Sequence, residues 1–585
     1  MFARGARVTA LIFLTSVMST GRVGGAGAED GVVAEFDVKI PMRDGVLLSA
    51  DIYRPAGEGR YPVILERTPY NNYNPEAGYY FARRGYAVVL QDVRGKHDSE
   101  GQFYPYVNEA ADGYDTQAWC AAQPWSSGRI GTSGSSYVGA TQVLPFIQGS
   151  RYLTCMVPQM AAVDIYHHGR YDGGAFALGI NTTWGALAAT SRVAQNPLAG
   201  VFDWRGLLLT LPVGGLPGVI GTRSPWYADW LAHPAWDQYW DSFSVTGKYD
   251  RVTAPSLNIG GWYDVFIQST LEFFTEVSAR GGSETARRGQ RLVVGPWTHT
   301  SPAETRIGQL DFGPAASLDV RAEQLRWYDY WLKDIDSGAA KEPRVKLFVM
   351  GENRWREFTD WPPEGTDTLC LYLRSGGRAA SLLGDGRLEY SPSSAVEKPD
   401  SYTYDPADPV PTLGGTNSGL QDIAPGGPCD QRPLERRPDV LVYTGAPLEK
   451  PLTVIGPVRV VLWVSSSAVN TDFTAKLVDV HPDGRAINVS EGMLRAPLRN
   501  GFDRWEELQP GRFYELTVQL HATANRFERG HRLRLDISSS DFPRYDRNLN
   551  TPGADISRKT DMVSARQTVL HEPLRPSRLI LYKLD

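Results

Sequence analysis

From residue 33 onward, apolar and polar positions follow two alternating rhythms. Apolar runs of strand length at 61–65, 86–90, 129–133 and 153–158 are separated by helical spacing at 79–84, 109–122 and 137–148. The same rhythm returns with runs at 256–259 and 291–294 and helices at 265–279 and 321–335. Apolar runs joined by helices mark a mostly parallel sheet covered on both faces, so the chain is read as α/β. A hairpin at 34–40 and 46–53, turning at Asp44-Gly45, opens the sheet, and the helix at 321–335 is expected to complete it.

Two stretches break the rhythm. Between 161 and 249 short helical segments carry many aromatics, among them Tyr166, Phe176, Trp184, Trp230 and Trp240, and this reads as an inserted helical cap. The stretch 370–439 is rich in Gly, Pro, Ser and Asp, with Asp405-Pro406 and Gly414-Gly415, and is expected to be mostly irregular. Beyond it, strand-like runs at 440–444, 458–464, 473–480, 513–520 and 532–537 alternate with turns such as Pro482-Asp483-Gly484, the pattern of a jelly-roll β-sandwich. The expected division is a signal segment at 1–28, a core in two parts at 29–160 and 250–360, the cap at 161–249 between them, and a C-terminal β domain with an irregular linker at 361–585. A chain of 585 residues is long enough for several such units.

Composition narrows the setting. Arg4 and Arg7 precede an apolar run at 8–18, and Ala26-Gly27-Ala28 forms an A-x-A cleavage site before Glu29, which predicts export to a secreted or periplasmic location. The run falls well short of the roughly 20 residues that span a bilayer, so no integral membrane segment is expected. With 60 basic and 66 acidic residues the net charge is −6, which gives no electrostatic reason to expect nucleic acid as a partner. Cys120, Cys155, Cys370 and Cys429 lack the close spacing of a zinc or redox site and read equally as disulfides or buried thiols. The oligomeric state, homo-oligomer included, is left open.

The chemistry centres on the turn at 129–139, where a strand runs directly into a helix through Gly131, Ser133, Gly134, Ser135, Ser136 and Gly139. Such a nucleophile elbow needs small residues because the chain reverses sharply beneath an exposed serine hydroxyl. Generic spacing does not separate Ser133, Ser135 and Ser136, and a Ser/Gly-rich turn also serves as a plain helix cap. A serine attacks only when a base takes its proton, and only nine histidines exist. His299 follows the apolar run at 291–294, and Asp264 follows the run at 256–259. Ser, Asp and His thus stand at three successive strand ends in the chain order of the α/β-hydrolases.

The stretch Gly134-Ser135-Ser136-Tyr137-Val138-Gly139 resembles the G-x-S-Y-x-G elbow of the cocaine esterase and X-Pro dipeptidyl-peptidase superfamily. Gly261-Trp262-Tyr263-Asp264 and Gly295-Pro296-Trp297-Thr298-His299 resemble its acid and base motifs, and Arg67-Thr68-Pro69-Tyr70 its R-x-P-Y segment. The likeness selects Ser136 as nucleophile and implies an α/β-hydrolase core with a cap and a C-terminal jelly roll. It also implies an oxyanion hole made by the Tyr70 hydroxyl and the Tyr137 amide, with no metal and no organic cofactor.

The substrate implied is a small ester or amide. Amino-acid ester hydrolases of this superfamily hold the substrate ammonium with acidic residues two and three positions after the catalytic Asp. Here those positions are Phe266 and Ile267, and an unpaired ammonium in an apolar pocket is costly, so that subfamily is disfavoured. The peptidases carry a substantial domain before the core, where only the signal segment is read here. An esterase with an apolar acyl pocket is therefore ranked first, walled by Trp262, Trp297, Tyr166, Phe176, Trp184 and Phe266. X-Pro dipeptidyl-peptidase and glutaryl-cephalosporin-type acylase activities are the enzymatic alternatives. A secreted binding protein with a relic core is the non-enzymatic one. Arg170 and Asp172 are read as an exposed, solvated pair.

Overall fold

The computed structural model describes residues 27–29, 31–193, 202–418, 420 and 423–584. Of the segment read as an export signal, all but Gly27 and Ala28 lies outside the described residues. An eleven-stranded sheet organises the N-terminal part. Its strands are β1 (Gly27–Glu29), β2 (Val32–Pro41), β3 (Leu47–Pro55), β4 (Tyr61–Thr68), β5 (Ala87–Asp92), β6 (Ser126–Ser135), β7 (Leu153–Gln159), β8 (Leu257–Gly261), β9 (Arg291–Gly295), β10 (Val345–Val349) and β11 (Arg354–Phe358). They lie side by side in the order β1-β2-β3-β5-β4-β6-β7-β8-β9-β10-β11. From β5 across to β10 every neighbouring pair is parallel, and antiparallel pairs close both edges.

Parallel neighbours require crossovers, and helices supply them. The helices are α1 (Pro75–Ala82), α2 (Glu109–Ala122), α3 (Tyr137–Val143), α4 (Ile267–Arg280) and α5 (Val320–Lys333). One apolar cluster packs α2 and α3 on one face of the sheet and continues into the cap, while a second packs α1 and α5 on the other. All six residues of β5 are buried, as two covered faces demand. The helix expected to run to 148 leaves α geometry after Val143 and continues as a 3₁₀ turn over Leu144–Gln148, because Pro145 lacks the N–H that the helical ladder needs. The sheet does not end at α5: β10 and β11 extend it beyond the expected last strand.

The C-terminal part contains β12 (Asp367–Arg374), β13 (Arg387–Glu389), β14 (Asp400–Tyr404), β15 (Leu441–Gly445), β16 (Leu452–Ser466), β17 (Asp472–Val480), β18 (Ala486–Arg495), β19 (Tyr514–Phe527), β20 (Arg532–Ser538), β21 (Ala565–Glu572) and β22 (Arg578–Leu584). Hydrogen bonding runs β16-β19-β18-β17-β20-β15-β13-β12-β22, and β22 pairs again with β16. The double-layered β domain is therefore closed into a barrel along that edge, with β21 and β14 branching from β16. The stretch expected to be irregular contributes β13, β14 and most of β12. β14 reads Asp-Ser-Tyr-Thr-Tyr, with alternate residues buried, a period-2 signal masked by the turn-rich chain around it. All four cysteines are free thiols.

Candidate active site

β6 runs straight into α3 through Ser136, whose backbone sits at φ 62°, ψ −124°, a conformation a non-glycine residue holds only under constraint. The constraint is visible around it. The Ser136 N–H donates to the Gln159 carbonyl at the end of neighbouring β7 (2.9 Å), and Gly139 and Ala140 donate to the Ser136 carbonyl as the helix begins. Gly134 has φ 135°, and a Cβ there would lie 2.1 Å from Val138 Cγ1, so no side chain fits at that point of the turn.

The three serines separate by their partners. Ser133 turns under the sheet and its hydroxyl accepts from Gln324 Nε2 of α5 (3.0 Å). Ser135 is exposed, and Ser136 Oγ lies 2.9 Å from His299 Nε2. His299 Nδ1 lies 2.9 Å from Asp264 Oδ2, and the fully buried Asp264 also accepts the Phe266 N–H at Oδ1 (2.5 Å). The carboxylate is thereby pinned from two sides, which fixes the imidazole with Nε2 toward the serine.

Adjacent parallel strands deliver Asp264 and His299. β8 and β9 pair in register up to Gly261 and Gly295, so the loops that follow leave the sheet side by side. Trp297 locks them: Tyr263 N–H donates to its carbonyl (3.0 Å), its indole donates to the Ala316 carbonyl (3.0 Å), and a Cβ on Gly261 or Gly295 would collide with it. The glycines of both motifs are thus the space Trp297 occupies.

Tyr70 and Tyr137 flank the serine. The Tyr70 hydroxyl faces Ser136 and accepts from Trp184 Nε1 (3.0 Å). Although the residue is 40% exposed as a whole, desolvation at the hydroxyl pushes the phenol up, so it is a neutral donor. Tyr137 opens α3, which leaves its N–H outside the helical ladder and free to face a ligand. Its side chain points down instead, donating to Glu109 Oε1 (2.8 Å), and Glu109 pairs with Arg67 (2.8 Å) in a buried network beneath the elbow.

Of the residues expected to wall an acyl pocket, only two border the site. Phe266 packs edge-on against the His299 ring (5.2 Å between centroids), and Trp184 holds Tyr70. The others are core. Trp262 is buried and donates to the Phe348 carbonyl, Trp297 locks the loops, Tyr166 donates to the Pro234 carbonyl, and Phe176 packs on Tyr227. Arg170 and Asp172 are not a solvated pair either. Arg170 is 1% exposed, set among the rings of Tyr106, Trp184 and Trp230, and Asp172 binds His521, Arg544 and Tyr545.

A cavity of about 850 Å³ opens beside Ser136 between the 70–74 and 301–303 segments and descends between α1 and α5. Glu66 of β4 lines it. Burial alone pushes that carboxyl up to about 7, with no counter-charge to hold it down. Glu66 escapes the sequence pattern because it follows directly on the apolar run 61–65, where a polar residue reads as the strand's end, whereas the strand continues to Thr68.

Two family models match the chain in succession. They are X-Pro dipeptidyl-peptidase (S15 family) over residues 44–301 and the X-Pro dipeptidyl-peptidase C-terminal non-catalytic domain over 337–580. Cocaine esterase of Rhodococcus sp. (strain MB1 Bresler) is 39% identical over 572 residues, covering 93% of this chain and 97% of that one. Among solved structures, an aminopeptidase from the marine sediment archaeon Thaumarchaeota archaeon superposes with a TM-score of 0.83 at 26% identity. An α-amino acid ester hydrolase does so at 0.82 and 26%, and each likeness covers 98% of this chain and all of the other.

Proposed function

Because the chain belongs to the cocaine esterase-like hydrolases of the X-Pro dipeptidyl-peptidase (S15-type) α/β-hydrolase superfamily, we propose that Ser136, His299 and Asp264 carry out the hydrolysis of a small carboxylic ester. His299 Nε2 takes the Ser136 proton as Oγ adds to the carbonyl carbon. The Tyr70 hydroxyl and the Tyr137 N–H receive the oxyanion, preformed donors that act where charge develops. Collapse of the tetrahedral intermediate expels the alcohol, which takes the proton from His299 and leaves an acyl-Ser136. Water then gives its proton to the same nitrogen as it adds to the acyl carbon; collapse of the second tetrahedral intermediate breaks the acyl–Oγ bond, and His299 returns the proton to Ser136 as the acid leaves. Asp264 holds the ring and balances the imidazolium.

The observation that carries this reading is the unbroken chain Asp264–His299–Ser136, two contacts of 2.9 Å each. A fluorophosphonate probe tests it: labelling should vanish in Ser136→Ala and persist in Ser133→Ala. Labelling that survives Ser136→Ala would sink the assignment.

The ester is placed ahead of the peptide because the likeness to a cocaine esterase spans nearly the whole of both chains, and because Phe266 and Ile267 stand where an ammonium would need carboxylates. Likeness to an aminopeptidase supports amide cleavage as the second reading. Rates on p-nitrophenyl esters, β-lactam amides and dipeptide anilides, measured side by side, rank the two; faster turnover of Gly-Pro anilide would reverse the order. Export is part of the same proposal. It rests on the basic, apolar and A-x-A pattern of residues 1–28, and N-terminal sequencing of the protein recovered outside the cytoplasm tests it.

A further inference from the structure

The C-terminal barrel holds a group of side chains that ester hydrolysis does not use. β17 ends at Val480, and the turn that follows carries His481; β20 begins at Arg532, just after His531. Antiparallel pairing sets Val480 opposite Arg532 and Asp479 opposite Leu533, which brings the two histidines together from opposite strands. Their ring centroids are 4.4 Å apart. His531 Nδ1 lies 2.8 Å from Asp479 Oδ1 and His481 Nε2 lies 3.8 Å from Asp479 Oδ2. One nitrogen or oxygen atom from each of the three lies within 4.8 Å of the other two.

These spacings fit a metal ion. A tetrahedral ion with bonds of about 2.0–2.1 Å keeps its donor atoms about 3.3 Å apart; His531 and His481 approach different oxygens of Asp479 at 2.8 and 3.8 Å, the first as a hydrogen bond, and all three donors lie within 4.8 Å, so the set closes on an ion once the His531–Asp479 hydrogen bond opens. Room for further ligands exists, because the three residues line a cavity of about 200 Å³ shared with Tyr263, Asn353, Asn525 and Glu528. Asn353 Oδ1 and Asn525 Nδ2 are buried there without a hydrogen-bond partner among the described residues. Buried polar atoms are rarely left so, and metal-bound water would supply an acceptor and a donor for them.

We propose that Asp479, His481 and His531 bind one divalent d-block ion, zinc first, with water from the cavity completing its coordination. Two imidazoles and one carboxylate suit zinc and its neighbours and not magnesium or calcium, which take oxygen ligands. The ion would bridge two segments of the barrel. It ties the β17–β18 turn to the start of β20, against a wall that includes Tyr263 of the hydrolase core, whose hydroxyl donates to the Asn488 carbonyl of the barrel (3.0 Å).

The test uses the full chain stripped of metal and titrated with Zn²⁺ alone, read by calorimetry and by elemental analysis after dialysis. One ion per chain is expected, with Kd at least tenfold weaker in His481→Ala and in His531→Ala. A visible d–d band of four- or five-coordinate cobalt should appear with Co²⁺ and be lost in both variants. His233→Ala, which removes another histidine paired to an aspartate on the surface, should leave binding unchanged. Unaltered ester turnover in the two barrel variants would show that they fold. Equal zinc affinity in the unsubstituted chain and in the doubly substituted one would overturn the proposal, as would binding that falls only with His233.

Discussion

Replacing Glu66 with Gln should remove a penalty that grows with pH. Glu66 faces the cavity beneath Ser136, and burial pushes its carboxyl from 4.5 up to about 7. A carboxyl that binds its proton more tightly folded than unfolded contributes stability below about pH 4.5 and loses that contribution as pH rises through about 7. The displacement sets a ceiling of about 3 kcal/mol between the two protonation states. Glu66 is only partly buried because it borders a cavity that admits water, so about 1–2 kcal/mol is the better expectation. Gln keeps the shape and cannot ionise. At pH 4, below the unfolded value, the two proteins should therefore denature in urea at nearly the same midpoint, and at pH 8 the Gln variant should be the more stable by that amount. Intrinsic fluorescence follows the transition, and ester turnover before and after confirms refolding. A stability difference that is equal at both pH values would refute the reasoning, since a proton-independent effect cannot come from this ionisation.

Tyr70→Phe removes one of two oxyanion donors and should lower kcat about 10²–10³-fold with KM little changed, measured on a p-nitrophenyl ester. Gly134→Ala places a methyl group against Val138 at a φ of 135°, so the elbow cannot form; loss of fluorophosphonate labelling together with a lowered Tm is expected. Arg495→Met strips the guanidinium from between Asp472 and Asp546, both buried, and should destabilise the barrel by about 3–5 kcal/mol, read as a shift of its urea transition.

The triad was legible because the α/β rhythm says more than where strands lie. In a parallel sheet every strand ends at the same edge, so Ser136, Asp264 and His299 converge once β6, β8 and β9 are recognised. The tryptophans were illegible for the complementary reason. A motif tryptophan beside a catalytic residue reads as a pocket wall, yet whether its ring faces substrate or core depends on distant chain. Trp262 is held by the Phe348 carbonyl, 86 positions away, on a strand that lies beyond the alternating rhythm of the sequence. His481 and His531 fell outside any spacing rule, since 50 residues separate them and only the register of β17 against β20 makes them neighbours. Glu66 was illegible too, because a carboxylate directly after the run 61–65 reads as the strand's end.

Arg170 and Asp172, a buried cation and a tied carboxylate instead of a solvated pair, join the barrel to the cap without touching Ser136, Asp264 or His299. Asp172 ties the cap to the barrel through His521 (3.1 Å), Arg544 (3.4 Å) and Tyr545 (2.5 Å). Two residues earlier, Arg170 is held by Asn181 on both its carbonyl and its guanidinium, and its cation lies 5.2 Å from the Trp184 ring centre. Trp184 in turn donates to the Tyr70 hydroxyl. That hydroxyl is pushed up by burial and eased down by the Arg170 charge, which has no carboxylate partner among the described residues. A positive charge left uncompensated near the oxyanion site favours the charge that develops there. On the proposed mechanism, these contacts join the barrel through the cap to the hydroxyl assigned to the oxyanion, so Asp172→Asn should lower kcat on a p-nitrophenyl ester; an unchanged kcat in a folded variant would refute the link.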